Sequence, residues 1–334
     1  MPTSIDILNT IWANASDEYQ NRIPQATRDN IAEVGNALLA YEPAMNEFLN
    51  ALVNRIGLVL VSNKLAKNKL SLFKKGKLEY GSDIEEIFVE MAKAESFNVE
   101  LAESTVFKRT KPDVKTLFHR VNREDVYPIT IERAHIKRAF LSSDGVARLV
   151  SAIINSVYSA DNYDEYVLMK DAIGKYFAET STVESQYTSI PIVNDKESAM
   201  HFLRVVKQAS EDMTFMSNKF NAQGVMQYTD KQDQVLLVHK NLVTYLDVDV
   251  LAWAFNDKKL DVNTRVITVD DFGTTENIQA ILCDKNWLMV YDVLFEMTNQ
   301  YNAKGLYYNY FLHHHQLIST SQFHNAIAIK VAEE

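Results

Sequence analysis

Between Leu58 and Glu132 the chain carries several strand-forming runs and very little to bury them against. "LVLVSN" is apolar and β-branched, and "LEYGSDIEEIFVEMA" interleaves Ile, Phe and Val with carboxylates. "DVKTLFHRVNREDVYPITI" reads as two β-rich runs joined across "NRED", a predicted hairpin. The whole stretch is predicted to form a long two-stranded ribbon. Such a ribbon is marginal by itself in water, because it cannot cover its own apolar side chains. It has to lie against something, and that need restricts the fold more than any other feature of the sequence.

The rest of the chain can supply a body. With 334 residues and 47% hydrophobic content, it is long enough for a large core divided between two packed regions. The first ~40 residues scatter their apolar positions among Asn, Asp and Gln, which predicts an extended arm with short helical turns. "YEPAMNEFLNALVNRIG" then reads as a helix, with Pro43 near its first turn and Gly57 at its end. Met45, Phe48, Leu49, Leu52 and Ile56 form its apolar stripe. From Ser143 comes the longest helical signal, capped by Ser143 or Asp144, with Val146, Leu149, Val150, Ile153, Ile154 and Val157 on one face. "SADN" is a point where this helix could break before "DEYVLMKDAIGKYF" resumes the spacing. Beyond a polar stretch, "AMHFLRVVKQASEDM" reads as a helix, and "VLLVHK", "TRVITVDDF" and "ILCDKNWLMVYD" read as one strand each. The tail from Tyr307 alternates as β-structure does. Elements in this order define an α+β class with mixed strands, not a βαβ series.

Charge and composition exclude several classes. A formal net charge of −10 argues against a free-standing nucleic-acid binder, which is usually basic. One cysteine, Cys283, leaves no internal disulfide framework or cysteine-rich metal cage, and suits a reducing compartment. The N-terminus has neither the basic start nor the apolar core of a secretory signal, and no run approaches the roughly 20 apolar residues that cross a bilayer. The expectation is a protein made in the cytosol, with no membrane partner. None of the 9 glycines lies in a GxGxxG or GxxxxGK pattern, so a glycine-cradled nucleotide is not expected.

Two patterns could carry chemistry. In "LDVDVLAWAFN", Asp247 and Asp249 would share one face of a strand and could bind a metal, with one of His313, His314 and His315 as a further ligand, as in metal-dependent glycosyltransferases. The plainer alternative makes Asp249 the N-cap of a helix "DVLAWAF". In the histidine triplet, a strand would turn His313 and His315 to one face and His314 to the other, where the residues fill a half-buried surface; no third ligand is named by the sequence. The basic run Lys64, Lys67, Lys69, Lys74, Lys75 and Lys77 and the acidic run Asp83, Glu85, Glu86 and Glu90 suit solvated or subunit-bridging faces. No GxSxG occurs, and no catalytic residue, cofactor or metal ligand is assigned.

Eight segments, in order and with consistent spacing, resemble the major capsid proteins of short-tailed phages of the phi-29 type. They are "IAEVGNALLA", "LVNRIGLVLV", "FKKGKLEYGSDIEEIF", "VKTLFHRVNRE", "SAIINSVY", "LDVDVLAWAFN", "DKNWLMVYD" and "KGLYYNYF", from about Ile31 to Ala328. The resemblance implies the Hong Kong 97 capsid fold. Its parts would map as an N-terminal arm and first helix at 1–57, an E-loop ribbon at 58–132 lying over a neighbouring subunit, and a peripheral domain with a spine helix at 133–182. An axial domain at 183–310 and return strands at 311–334 would complete it. It implies a non-enzymatic shell subunit that self-assembles into hexamers and pentamers around double-stranded DNA, with a scaffolding protein and a portal as partners. On this reading the capping alternative holds for Asp249. Some relatives continue into an immunoglobulin-like module, which a chain ending at Glu334 is expected to lack. An encapsulin-type nanocompartment shares the fold and is the nearest rival.

Overall fold

The computed structural model describes residues 3–41, 43–52, 68–79, 81, 83–96, 98, 107–132, 135, 138–140, 145–179, 186–193, 196–245, 265–273, 277–305 and 307–332, with backbone alone at 150, 151, 154, 196, 244 and 245. The expected strand "LVLVSN", the caps Ser143 and Asp144, Ile56 and Gly57, the side chains of Val150 and Ile154, and the whole "LDVDVLAWAFN" segment lie outside the described residues. The chain divides into two compact units: 1–68, 123–165 and 292–315 form the first, and 69–122, 166–291 and 316–334 the second.

In the first unit the N-terminal residues are more ordered than an extended arm. They form α1 (Ser4–Ala13), α2 (Asp17–Arg22) and α3 (Ile31–Ala40), followed by α4 at 43–52. Thr3 starts α1 with a full capping box, accepting from the Asp6 N–H at 3.2 Å while Asp6 Oδ2 accepts from the Thr3 N–H at 2.9 Å. Ser16 caps α2 through the Tyr19 N–H. The scattered apolar residues prove to be spaced at three and four: Ile7, Leu8, Ile11, then Ile31, Val34, Leu38, all buried in one core with Met45, Phe48, Leu49 and Leu52 of α4. Short helices gain most of their stability from such packing, not from propensity, so polar interruptions hid them.

Helix α5 (Gly145–Glu179) runs 35 residues without a break at "SADN". Asp and Asn disfavour helix interiors because they compete for backbone hydrogen bonds. Here both side chains find other partners: Asn162 Nδ2 donates to Tyr158 O one turn back at 2.7 Å, and Asp161 turns its carboxylate to the Arg123 guanidinium of β4 at 2.9 Å. The first 21 residues of α5, through Glu165, belong to the first unit and the remainder to the second.

Strands are β1 (Lys74–Lys77), β2 (Ile84–Val89), β3 (Val114–His119), β4 (Arg123–Glu132), β5 (Tyr187–Ile190), β6 (Gln234–His239), β7 (Arg265–Val269), β8 (Ile278–Asp284), β9 (Leu288–Asn302), β10 (Tyr307–Thr320) and β11 (Ala326–Val331). A four-stranded sheet has the order β1-β9-β10-β4, a five-stranded sheet β5-β11-β8-β6-β7, and β2 pairs with β3 alone. Pro128 is tolerated in β4 because that strand is an edge. The run "ILCDKNWLMVYD" is two strands, not one: β8 ends at Asp284, a turn intervenes, and β9 starts at Leu288 in the other sheet.

The second unit is built on the five-stranded sheet, which is buried on both faces. That is why "VLLV" and "AILC" read as unbroken apolar runs. Val235, Leu237, Ile281, Cys283, Ala326 and Ala328 face Met169, Ile173, Tyr176 and Phe177 of α5 and Trp287. Leu236, Val238, Ala280, Leu282, Ile327 and Ile329 face Phe202, Leu203, Val206 and Ala209 of α6 (Lys196–Asp212). Strand pairing is mixed, parallel for β6 with β7 and β11 with β5, antiparallel for β8 with both β6 and β11. A short α7 (Lys240–Tyr245) follows β6.

Tyr176 lies edge-on to Trp287, with ring centroids 5.1 Å apart, and burial pushes its hydroxyl up from 10.0 to about 12. A raised folded value gives a contribution that is complete below the unfolded value and fades as pH rises. The window is therefore about pH 10 to 12. We expect denaturant-measured stability to fall across that window, and Tyr176→Phe to flatten the fall. An unchanged slope in the variant refutes the assignment.

Candidate assembly surface

The expected hairpin across Asn122–Asp125 does not form among the described residues: β3 pairs with β2, and β4 joins the four-stranded sheet. The cause lies at the junction. Asn122 clasps the backbone of Ile318, donating from Nδ2 to its carbonyl at 2.8 Å and accepting its N–H at 2.9 Å. Arg123, 2% exposed, is fixed by Asp125 at 2.6 Å, Tyr127 at 2.7 Å and Asp161. The chain is pinned where a turn would have to swing.

The β2–β3 ribbon has two unlike faces, as period-2 alternation requires. On the inner face, Phe88 stacks on Phe323 with centroids 5.7 Å apart, and Lys115 Nζ donates to Gln223 O at 3.1 Å. His119 Nδ1 lies 2.8 Å from Ser319 Oγ and its Nε2 lies 3.1 Å from Glu86 Oε2, while Ser321 Oγ donates to Glu86 Oε1. Burial opposes ionisation of Glu86, but the His119 and Ser321 hydrogen bonds outweigh it and hold the carboxyl below its ordinary range. On the outer face, the cross-strand pairs are Glu85 with Phe118, Ile87 with Thr116, and Val89 with Val114. Phe118 is 63% and Ile87 55% exposed, and Val89 and Val114 are about as open. A contiguous row of large apolar side chains on a ribbon marks a contact surface more readily than scattered exposed residues do.

The charged residues singled out from the sequence do not share one environment. Lys64 and Lys67 lie outside the described residues. Lys75 points into its own unit, donating to Lys285 O at 2.8 Å and Asn286 Oδ1 at 2.7 Å, and Glu86 is turned inward as described. Asp83 pairs with Arg120 at 3.2 Å and Glu90 with Lys115 at 3.7 Å, both across the ribbon. Lys74 is half-buried, whereas Lys69, Lys77 and Glu85 are exposed. Asp247 and Asp249 lie outside the described residues. Of the histidine triplet, the strand turns His314 inward, 0% exposed. It packs edge-on to Phe295, with ring centroids 5.0 Å apart, and is also held by polar contacts: Nδ1 meets the Asp161 carboxylate, and Nε2 lies 3.1 Å from Asp292 Oδ1. Sequence reasoning missed Asp161 and Asp292. The one available signal was a polar pair inside the strongest helix.

Cys283 is fully buried in the five-stranded sheet, where burial raises its thiol well above the ordinary value and makes it unreactive. No helix among the described residues is long and apolar enough to cross a membrane.

A mixed sheet packed on a long helix, with a separate two-stranded ribbon, is the architecture of Hong Kong 97-type phage capsid subunits. A chain of the Staphylococcus phage Andhra capsid superposes with a TM-score of 0.65 at 16% identity, over 80% of this chain and 84% of that one, which places the fold in that class. A family model described as the Phi29-like phage major capsid protein matches residues 8–330. The major capsid protein of Bacillus phage B103 is 37% identical over 337 residues, covering 99% of this chain and 74% of the relative. That of Bacillus phage PZA is 37% identical over 330 residues, covering 97% and 72%. The chain belongs to the Phi29-like phage major capsid protein family. It is a structural component of the virion shell and not an enzyme; copies of it self-assemble. Neither the nanocompartment nor the glycosyltransferase alternative is favoured by these matches.

Proposed function

We propose that this subunit forms hexamers and pentamers of an icosahedral-type shell enclosing double-stranded DNA, with the outer face of the β2–β3 ribbon laid over a neighbouring copy. One observation carries this reading: the ribbon rests on its own unit by one face only, and the other presents Ile87, Val89, Val114 and Phe118 to solvent. Burying such a row contributes roughly 25 cal/mol for each Å² of apolar area removed from water, from which ordering costs are subtracted.

Charge refines the fit. Among the sequence candidates, Lys75 and Glu86 are engaged within their own unit and Asp83 and Glu90 within the ribbon, which leaves the exposed charges to steer register between copies more than they add affinity. Lys69, Lys77 and Glu85 are the best placed for this by their exposure. The net charge of −10 suits a container, since a strongly basic lining would hold DNA by its phosphates in a salt-dependent way. DNA is thus enclosed without sequence-specific binding. Assembly takes place in the host cytoplasm with a scaffolding protein and a portal.

Expression of the full chain with its scaffold, followed by negative-stain microscopy, tests the reading. Closed shells, tubes or capsomers are expected. Lys69→Glu combined with Lys77→Glu should lower particle yield several-fold and leave the melting temperature of the subunit unchanged. Uniform monomers from the wild-type chain, with or without scaffold, would refute the proposal.

A further inference from the structure

Strand β10 buries alternate residues, so Tyr308, Tyr310, Leu312 and His314 share its covered face. His314 meets three carboxylates there. Asp161 on α5 holds Nδ1, Asp292 on β9 lies at Nε2, and Glu165 stands one helical turn beyond Asp161. One ligand atom each from Glu165, Asp292 and His314 lie within 4.8 Å of one another. Glu165 and His314 are both 0% exposed, and the Asp292 side chain is 16% exposed. All four residues belong to the first unit.

We propose that Glu165, Asp292 and His314 bind one divalent cation of the zinc or manganese type. The donor set is the first argument. One imidazole with two carboxylates matches the mixed nitrogen and oxygen sites these ions take, whereas magnesium and calcium favour oxygen alone. Geometry is the second. Donors that neighbour each other around an ion, at bonds of roughly 2.1 Å, stand about 3.0–3.4 Å apart. The distance from His314 Nε2 to Asp292 Oδ1 is 3.1 Å, already in that range. Glu165 has a carboxylate oxygen within 4.8 Å of a ligand atom on each of these side chains. Its carboxylate is oriented by Asn68, whose Nδ2 donates to Oε1 at 2.8 Å.

The third argument concerns the other nitrogen. A ligating histidine usually donates its second N–H to a carboxylate, which fixes the tautomer and turns the opposite lone pair to the metal. Asp161 occupies that position at Nδ1, and is itself anchored by Arg123 at 2.9 Å. The ligands also sit on rigid elements, one helix and two strands, so the site needs little ordering on binding. An ion there would tie α5, β9 and β10 together within the first unit.

The test uses the full-length chain without a histidine tag, stripped with chelator and titrated separately with ZnCl2 and MnCl2. One ion per chain and a higher melting temperature are expected. Asp292→Asn should weaken binding at least about ten-fold, and Asp161→Asn, which touches no metal, about 10–100-fold. Should these variants fail to fold, the electron spin echo of Mn²⁺ on the wild-type chain decides, since one imidazole ligand gives nitrogen modulation. No stoichiometric binding, affinity unchanged in Asp292→Asn, or an echo without nitrogen modulation would each overturn the proposal. The cluster would then be an ion-pair network alone.

Discussion

A subunit carrying Phe118→Lys and Ile87→Lys is expected to stay folded and to form no particles. Both side chains lie on the outer face of the ribbon and are more than half exposed, so the fold loses little packing. Surface changes of this kind usually stay within about 0.5 kcal/mol. The cross-strand partners even favour the change, since Glu85 sits opposite position 118 and can pair with a lysine there. Assembly is different. A charge that must lose its water against an apolar neighbour costs several kcal/mol unless it is paired, and the contact recurs in every subunit of a shell. Particle yield by sedimentation should fall to background, with a melting temperature equal to wild type. Wild-type yield from the double variant would show that this face is not a contact between copies.

The second large effect is expected from one methyl group. Gly174→Ala should destabilise the subunit by about 2 kcal/mol or more, a net figure in which the gain of helix propensity is already opposed. A Cβ at Gly174 would stand 2.3 Å from Gly273 O and 2.5 Å from Gly273 C, and one at Gly273 would stand 2.5 Å from Lys170 O. These are backbone atoms and cannot rotate aside. Gly273 also has φ +67°, a conformation that favours glycine. The same close approach lets Lys170 Nζ reach Asp270 at 2.9 Å and Asp271 at 2.7 Å, and lets Tyr166 donate to Asp270 at 2.5 Å. Burial opposes ionisation of Asp270, yet the hydrogen bonds from Tyr166 and Lys170 hold its carboxyl well below the usual range. Forcing α5 away from the loop would loosen all three contacts. Urea unfolding measures the cost, and a variant as stable as wild type would mean the helix and loop separate easily.

The elements that were easiest to find in the sequence are those whose pattern has one physical cause. Strand β6 announces itself because both its faces are covered, and α6 because Phe202, Leu203, Val206 and Ala209 recur at helical spacing. The family resemblance likewise rested on local segments, and the matches to Phi29-like capsid proteins agree with it. The misread places share a different cause. "NRED" has turn composition, but Asn122 and Arg123 are consumed by Ile318 and Asp161, residues far along the chain. "SADN" has the composition of a break, but a distant arginine and histidine use Asp161, and the helix passes through. The helices of residues 4–40 were hidden because their burial comes from α4 and β10, not from an unbroken apolar stripe.

Alternation and spacing, read along the chain, determined which residues of each strand and helix could be buried, and with them the α+β class and the ribbon's two-faced character. Folding alone decided what those faces meet. It placed Glu86 inward and Glu85 outward, separated β3 from β4, and gathered Asp161, Glu165, Asp292 and His314 from three elements into one buried group. The reason is range: periodicity is a property of neighbours in sequence, whereas pairing of strands and charges joins residues from 22 positions apart, as for His314 and Asp292, to 235, as for Ser321 and Glu86.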